Sequence, residues 1–314
     1  MKKNAFARNY SDDNNSKANF DHIYALNDPR EYYRVLYGLD YVIPDLARSA
    51  FRGVIRSLEA LRGHPLKILD IGCSFGINAA LLKYPLNMER LAARYRDLDL
   101  CKLTSDELID FDRLYFSSWP KERVSVVGLD TSEGAIAYAR SVGLIEDGIV
   151  ANLETMDLTR EQAGMLEDVD LIISTGAVGY VGPPTFSKVL AAIKGHRPWV
   201  ASFVLRMFDH GALESLYEDF GLRTEKLKGV TFVQRRFHTQ AECLSVLGKL
   251  AQRDIPTEGK EADGLYHAEF FLSRPEQDIP CLDLEELASV TSGANLRFGR
   301  RFRVLQDSSV RYGN

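Results

Sequence analysis

The chain has 314 residues, of which 45% are hydrophobic and 26% charged, a composition typical of a soluble globular protein with a sizeable core. Its formal net charge of −5 argues against a surface that is basic throughout and binds nucleic acid, although local basic patches stay open. No apolar run approaches the roughly 20 residues that span a bilayer, and the N-terminus lacks the apolar stretch of a secretory signal. The four cysteines form no C-x-x-C pair, which disfavours a zinc ribbon and predicts reduced thiols in a cytoplasmic protein.

Residues 1–64 predict an N-terminal arm and a helical cap. Residues 1 to about 18 are polar, which is typical of an arm outside a packed core. Asp28 followed by proline indicates a helix start, and Pro44 opens a second helix whose apolar residues recur every three or four positions. We expect this second helix to end at Gly63.

The cap is rich in tyrosine, with five between Tyr24 and Tyr41. Tyr33, Tyr37 and Tyr41 are spaced to share one helical face. One interpretation is that these rings pack the cap onto the main domain with their hydroxyls near water. The alternative makes the cap a lid whose rings face a cationic ligand, with Tyr33 and Tyr37 as residues of the substrate pocket.

The segment from Lys67 to Gly76 predicts a strand, a tight loop and the start of a helix. An apolar run stops at Asp70, turns on Gly72 and Gly76, and continues into the helix-compatible sequence from Ile77, which is typical of a nucleotide-binding βαβ unit. The loop lacks the G-x-G-x-x-G pattern of dinucleotide sites and is not followed by the Gly-Lys-Ser/Thr of a P-loop. Another nucleotide is therefore expected.

The rest of the chain alternates strands and helices. Asp130, at the end of the second predicted strand, follows Gly76 by far more than the usual spacing of about 20 residues, which indicates an insertion at about residues 86–120. Within it, Thr104 and Glu107 resemble a capping box. Later strands are predicted at 124–130, 149–151, 169–174, 199–205, 223–227, 230–237 and 264–273. The pattern predicts an α/β fold, a doubly wound and mainly parallel sheet with an elaborated antiparallel C-terminal edge, formed by residues 65–314.

Four segments in order resemble the class I S-adenosylmethionine (SAM) methyltransferases and cover about residues 66–206. The sequence Asp-x-Gly-Cys-Ser-Phe-Gly at 70–76 is similar to their motif I, D/E-x-G-x-G-x-G, with Ser74 where the middle glycine usually stands. Segments 127–132, 151–154 and 170–176 resemble the ends of their second, third and fourth strands. The resemblance implies a Rossmann-like domain that binds SAM.

The resemblance also implies the roles of individual residues. Asp130 would accept from both ribose hydroxyls, Asn152 would contact adenine, and Asp70 would lie near the amino group of SAM, directly or through water. Each of these polar residues could instead serve helix capping or a turn. The cofactor-binding residues implied are Asp70, Gly72, Cys73, Ser74, Gly76, Asp130, Thr131, Asn152, Leu153, Thr175 and Gly176.

The sequence after the fourth strand leaves the chemistry open. Residues 174–180 contain neither the Asn/Asp-Pro-Pro-Tyr signature of amino-group methyltransferases nor the acidic ligands of catechol-type enzymes, so no metal is predicted. Tyr180 is the one large polar side chain of this loop and the candidate catalytic residue, either through its ring or through its hydroxyl. None of the six histidines is singled out as a base by its spacing.

The expected activity is transfer of the SAM methyl group to a small molecule by in-line displacement. The alternative is an enzyme such as an azetidine-2-carboxylate synthase, in which the amino group of SAM attacks its own γ-carbon and methylthioadenosine is released. An RNA methyltransferase is favoured only by Arg235-Arg236 and the arginines near the C-terminus, and a non-catalytic SAM-binding protein is a further alternative. We expect no membrane partner, and the sequence leaves a homo-oligomer open.

Overall fold

The computed structural model describes residues 21–24, 26–287, 302–304 and 310–312. The predicted arm lies outside these ranges, as do Arg297, Arg300 and Arg301 of the C-terminal arginine cluster. Among the helices of the described ranges, none combines the length and apolar character needed to cross a membrane.

The cap consists of three helices, α1 Asp21–Tyr24, α2 Arg30–Gly38 and α3 Ile43–Arg62. Proline stands in the first turn of α3, and Gly63 ends it with φ 75°, a left-handed conformation that glycine adopts without steric cost. The two predicted starts are thus confirmed. Because α2 ends at Gly38, Tyr41 does not continue its helical face as the spacing predicted.

Strands and helices alternate after the cap as predicted. The strands are β1 Lys67–Ile71, β2 Ser125–Asp130, β3 Asp147–Val150, β4 Leu171–Thr175, β5 Trp199–Leu205, β6 Arg223–Lys226, β7 Phe232–Arg236, β8 Leu265–Arg274, β9 Phe302–Val304 and β10 Val310–Tyr312. The helices between them are α4 Ile77–Lys83, α5 Met88–Tyr95, α6 Ser105–Ser117, α7 Glu133–Ser141, α8 Arg160–Gly164, α9 Pro183–Ala192, α10 Gly211–Asp219 and α11 Gln240–Gln252.

The main sheet has the order β3-β2-β1-β4-β5-β8-β6, and β7 also pairs with β8. Strands β1 to β5 are parallel, whereas β8 runs antiparallel to β5, β6 and β7. The chain order reverses between β1 and β4, and ligands of open α/β sheets bind beside the carboxyl ends of the strands at such a switch point. This is the class I methyltransferase-like α/β fold with the antiparallel edge that the sequence predicts.

The predicted insertion packs beside the cap. Its helix α6 begins with the expected capping box, in which the Glu107 carboxylate accepts from the Thr104 backbone N–H at 2.8 Å. On α5, the Tyr95 ring stacks on Tyr33 of α2 at 4.7 Å between centroids. The buried Asp112 carboxylate accepts from the hydroxyls of Tyr95 and of Tyr138 on α7. The insertion thus covers α2 and α7 and leaves the carboxyl ends of the strands to the cap.

Candidate functional site

A cavity of about 370 Å³ lies at the carboxyl ends of β1 to β4, with the cap above it. It brings together every predicted cofactor-binding residue except Asp70 and Gly76. The β1 and β2 ends contribute Gly72, Cys73, Ser74, Asp130 and Thr131. The β3 and β4 ends contribute Asn152, Leu153, Thr175 and Gly176. We call these residues the strand-end wall.

The loop after β1 is left-handed at every second residue, with φ 74° at Gly72, 48° at Ser74 and 76° at Gly76. A Cβ at Gly72 would lie 2.6 Å from the Ala177 Cβ, so only glycine lets this loop approach the loop after β4. Ser74 adopts the same backbone conformation at a cost of about 1–2 kcal/mol relative to glycine. Gly76 lies outside the cavity, and a Cβ there would lie 3.1 Å from the Cβ atoms of both Ala139 and Leu144.

Asp130 supports the loop and also faces the cavity. Its Oδ2 accepts from the Ser74 backbone N–H at 2.8 Å, and its Oδ1 accepts from the Ser132 N–H at 3.0 Å. Ser132 is the residue that caps α7, through the Ala135 N–H. Burial raises the pKa of the Asp130 carboxyl. Each carboxylate oxygen keeps a second lone pair, so the carboxylate can still accept from two vicinal hydroxyls.

Asp70 is fully buried and reaches the cavity only through Asn78. The Asn78 Nδ2 donates to Asp70 Oδ1 and to Thr175 Oγ1, both at 3.0 Å. Within the described part of the chain, Asp70 Oδ2 has no hydrogen-bond partner. Burial raises the pKa of the Asp70 carboxyl to about 7, against 3.8 in water. Asn78, which sequence analysis did not single out, therefore presents the polar group of this network to the cavity.

The end of β3 forms a turn beside the cavity. The exposed Asn152 accepts from the Glu154 backbone N–H through its Oδ1 at 3.1 Å, an interaction within its own turn. Glu154 in turn accepts from the Gly182 N–H at 2.8 Å and from the Thr185 hydroxyl at the start of α9. The Asn152 amide NH₂ is left for a partner at this end of the cavity.

The cap tyrosines that line the cavity are Tyr24, Tyr32 and Tyr41, not the predicted Tyr33 and Tyr37. Tyr33 is occupied by its stack on the insertion, and the Tyr37 ring lies 4.1 Å from the Arg96 guanidinium carbon. The prediction for these two residues is therefore corrected, because their face of α2 is turned towards the insertion.

Tyr32, Tyr24 and Tyr41 form a cluster of edge-on rings with centroids 5.8 and 6.3 Å from that of Tyr32. Burial raises the pKa of the Tyr41 hydroxyl to about 12, so it stays a protonated donor at neutral pH. No sequence signal distinguishes Tyr32 from Tyr33; only the packing of α2 does.

Strand β7 contributes two side chains that sequence analysis did not place in the site, Gln234 and Arg235. Both are buried, at 3% and 2% exposure. The Arg235 guanidinium donates to both oxygens of Glu242, at 2.7 and 3.1 Å, and lies over the Tyr266 ring. With the cap tyrosines, Gln234 and Arg235 form what we call the cap-side wall.

The cap is joined to β7 by backbone hydrogen bonds. The Val42 N–H donates to the Gln234 carbonyl at 2.9 Å, and the Arg236 N–H donates to the Leu39 carbonyl at 2.8 Å. The Arg236 guanidinium also pairs with the Asp40 carboxylate. Arg235 and Arg236, the adjacent pair that favoured RNA binding in the sequence, thus both hold internal partners.

Tyr180 lines the cavity from the loop after β4 and is 47% exposed. The backbone before it requires Gly179, at φ 110°, where a Cβ would lie 2.4 Å from the Phe208 ring. None of the histidines whose side chains are described lines the cavity. In the same described residues, no group of three or more His, Cys, Asp or Glu could hold a metal ion.

No family model and no curated protein matches this sequence. Several solved structures are similar to the structure of this chain. The magnesium protoporphyrin IX methyltransferase of Synechocystis PCC 6803 with bound SAM is 11% identical, with 74% of this chain and 80% of that chain covered and a TM-score of 0.37. The TehB-like SAM-dependent methyltransferase of Corynebacterium glutamicum ATCC 13032 is 18% identical, with 70% and 86% covered and a TM-score of 0.35.

The plantazolicin methyltransferase BpumL in complex with S-adenosylhomocysteine (SAH) is 14% identical, with 74% and 84% covered and a TM-score of 0.38. The class I methyltransferase-like fold of the chain rests on its own strand order, with β8 antiparallel at the edge of the parallel strands. The three likenesses have TM-scores below 0.5, so no argument and no residue role is taken from them. The roles below rest on the geometry of the cavity.

Proposed function

We propose that this protein is a SAM-dependent enzyme that transfers the methyl group to a small molecule. In this proposal residues 1–64 form an N-terminal arm and a helical cap, and residues 65–314 form the SAM-binding domain. The observation that carries the proposal is the cavity itself. It places polar groups from four successive strand ends opposite a wall of tyrosines, at the switch point of the sheet.

The order of the strand ends supports one orientation of the bound SAM in the cavity. Asn152 at the β3 end and Thr175 at the β4 end are separated by three strand spacings, about 14 Å. Asp130 lies between them, on β2. We assign the adenine to Asn152 and Leu153, the ribose to Asp130, and the methionine part to the loop after β1 and to Thr175.

Several groups of the strand-end wall are prepared for such a ligand. Asp130 is already held by two backbone N–H groups, so it needs no reorganisation to accept from the ribose hydroxyls. Gly72 leaves room for close approach of the ligand to the backbone. The buried Ser74 hydroxyl has no hydrogen-bond partner within the described ranges. These features support SAM as the ligand of the cavity.

The tyrosines provide an environment for a sulfonium ion. Aromatic faces attract cations by about 0.5–2 kcal/mol, the larger values applying where water is excluded. Tyr180 stands at the β4 loop, and Tyr24, Tyr32 and Tyr41 lie on the cap side. The chain thus contributes binding, orientation and exclusion of water, and the reactive methyl group is supplied by SAM.

The groups of the described cavity residues that could accept a proton support an acceptor that needs no strong base. Tyr41 keeps its proton at neutral pH, and Asp130 is engaged by the loop. A hydroxyl acceptor would need a base, whereas a neutral amine attacks with its own lone pair. We propose a small amine as the acceptor.

The test begins with calorimetric titration of SAM into the purified protein, where we expect binding with one site per chain. The protein is then incubated with methyl-labelled SAM and a panel of small primary and secondary amines, and label in the amine fraction supports the proposal. An incubation with SAM alone is run in parallel. If methylthioadenosine forms there over many turnovers and no amine is labelled in the first incubation, the proposed methyl transfer is wrong and the enzyme cyclises SAM.

A further inference from the structure

Gln234 has the features of a ligand-binding residue that no motif marks. Its side chain is 3% exposed yet lines the cavity, and Oε1 has no hydrogen-bond partner in the part of the chain that the structure describes. An unsatisfied buried acceptor costs about 1–3 kcal/mol, so its presence in a folded protein calls for a partner that the chain does not supply.

The amide of Gln234 is placed at one end of the cavity. Its Nε2 lies against the backbone after β4, where a Cβ on Gly176 would come within 2.6 Å of it. Gly176, at φ 71°, is therefore the residue that admits the amide. Since Asn152 marks the adenine end, Gly176 and Gln234 mark the opposite end, beyond Thr175.

A second amide binds Thr175, the residue before Gly176. Asn78 lines the cavity and is fixed by Asp70 and Thr175, with Nδ2 engaged by both. The amino-acid head of SAM carries a carboxylate and an ammonium group about one carbon apart. A glutamine amide holds one donor end and one acceptor end at a comparable spacing and can exchange them by a half-turn of the amide.

We infer that Gln234 binds the amino-acid head of SAM, donating from Nε2 to its carboxylate and accepting from its ammonium group at Oε1, an inference that rests on the proposed function. Strand β7 thereby contributes to the donor site from outside the five parallel strands. The Val42–Gln234 backbone hydrogen bond ties the same residue to the cap, so that head-group binding and cap position depend on one strand.

The test compares two ligands that differ in the head group. SAH retains the amino-acid head, whereas 5′-methylthioadenosine lacks it, and neither carries the sulfonium charge. For Gln234→Met, which keeps the length of the side chain without the amide, we expect SAH to bind at least tenfold more weakly and methylthioadenosine to bind within twofold of wild type. Tenfold is the lower end expected for hydrogen bonds to charged groups.

Gln252→Met, at an exposed position at the end of α11, is the matched control and should change neither affinity. If Gln234→Met does not fold, Gln234→Asn withdraws the amide from Gly176 by one methylene and carries the same expectation. Unchanged SAH binding, or equal losses for both ligands, would overturn the inference while leaving the proposed function in place. A wild-type protein that binds neither ligand would overturn both.

Discussion

The two walls of the cavity are built in different ways. The strand-end wall consists of short segments in which a strand runs directly into a turn, so each functional residue is positioned by its immediate neighbours. The cap-side wall joins residues far apart in sequence, such as Tyr41 and Gln234, through contacts between the cap and β7. A ligand between them would depend on local geometry on one side and on tertiary packing on the other.

This difference implies different consequences for substitutions. Residues of the strand-end wall hold the backbone of their own loops, as Asp130 does through Ser74, so their replacement affects folding and binding together. The cap-side wall is joined to the sheet by backbone hydrogen bonds from Val42 to Gln234 and from Arg236 to Leu39, and these do not depend on the side chains of the wall. We expect substitutions in the first wall to have the larger effects.

The largest effect is expected at Asp70, beneath the strand-end wall. Its carboxyl stays protonated to about pH 7 in the folded protein but ionises near 3.8 when unfolded, so the unfolded state binds fewer protons between these values. The free energy of unfolding therefore falls as the pH rises from about 4 to about 7. Asp70→Asn should remove this contribution and be more stable than wild type at pH 8, by up to roughly 4 kcal/mol for about three pKa units.

Urea denaturation of both proteins at pH 4.5 and pH 8 measures this effect. Burial also raises the pKa of the Asp45 carboxyl to about 7, but Asp45 is present in both proteins and cancels in the difference. Asp110→Asn, at an exposed position on α6, serves as the control. Equal pH dependence of wild type and Asp70→Asn would show that Asp70 ionises normally in the fold.

Next in size is Asp130→Ala, which tests the strand-end wall as a binding surface. We expect SAM affinity to fall by more than tenfold, because hydrogen bonds to a charged carboxylate are worth about 1.5–3 kcal/mol. The Ser74 and Ser132 N–H groups also lose their acceptor. Calorimetry measures the change, with Asp157→Ala on the exposed loop after β3 as control. Unchanged SAM affinity in a folded variant would refute the ribose assignment.

The same contrast explains what the sequence could predict. The strand-end wall was predictable because a buried strand followed by an acid or glycine specifies both a turn and its place at the sheet edge. Even there, the capping interpretation of Asp130 was partly right, since its carboxylate holds two N–H groups of neighbouring turns. Only the structure shows that the carboxylate that holds these turns also faces the cavity.

The cap-side wall could not be predicted, because neighbours such as Tyr32 and Tyr33 are chemically identical and only tertiary packing separates them. Tyr33 stacks on an insertion whose position no local pattern specifies. Arg235 was noticed only as part of a basic pair, whereas Glu242, seven residues later, neutralises it inside the protein. The sequence therefore predicts site residues that are positioned by their neighbours in the chain. It does not predict those that tertiary packing brings together from distant parts of the chain.

Tyr180 tests the aromatic contribution to the site with a smaller expected effect. SAM carries a sulfonium charge that SAH lacks, so the ratio of their affinities reports the contribution of the ring. Tyr180→Ala should lower the preference for SAM by about 2- to 30-fold, corresponding to 0.5–2 kcal/mol, whereas Tyr180→Phe should retain it. If both variants keep the wild-type ratio and wild-type turnover, Tyr180 takes no part in the reaction.

The smallest effect is expected at Ser74, where the sequence departs from the glycine of the motif it resembles. Its left-handed backbone, at φ 48°, is strained by about 1–2 kcal/mol, but glycine would lose about 0.5–1 kcal/mol more conformational entropy on folding. Ser74→Gly should therefore raise the free energy of unfolding by about 1 kcal/mol or less. Thermal denaturation measures the stability of this variant and of Gly72→Ala as a contrast. Gly72→Ala places a Cβ 2.6 Å from the Ala177 Cβ and should destabilise the protein. Marked destabilisation by Ser74→Gly would mean that the serine hydroxyl stabilises the loop. The strand-end wall would then depend on a side chain at a position where the resembled motif has glycine.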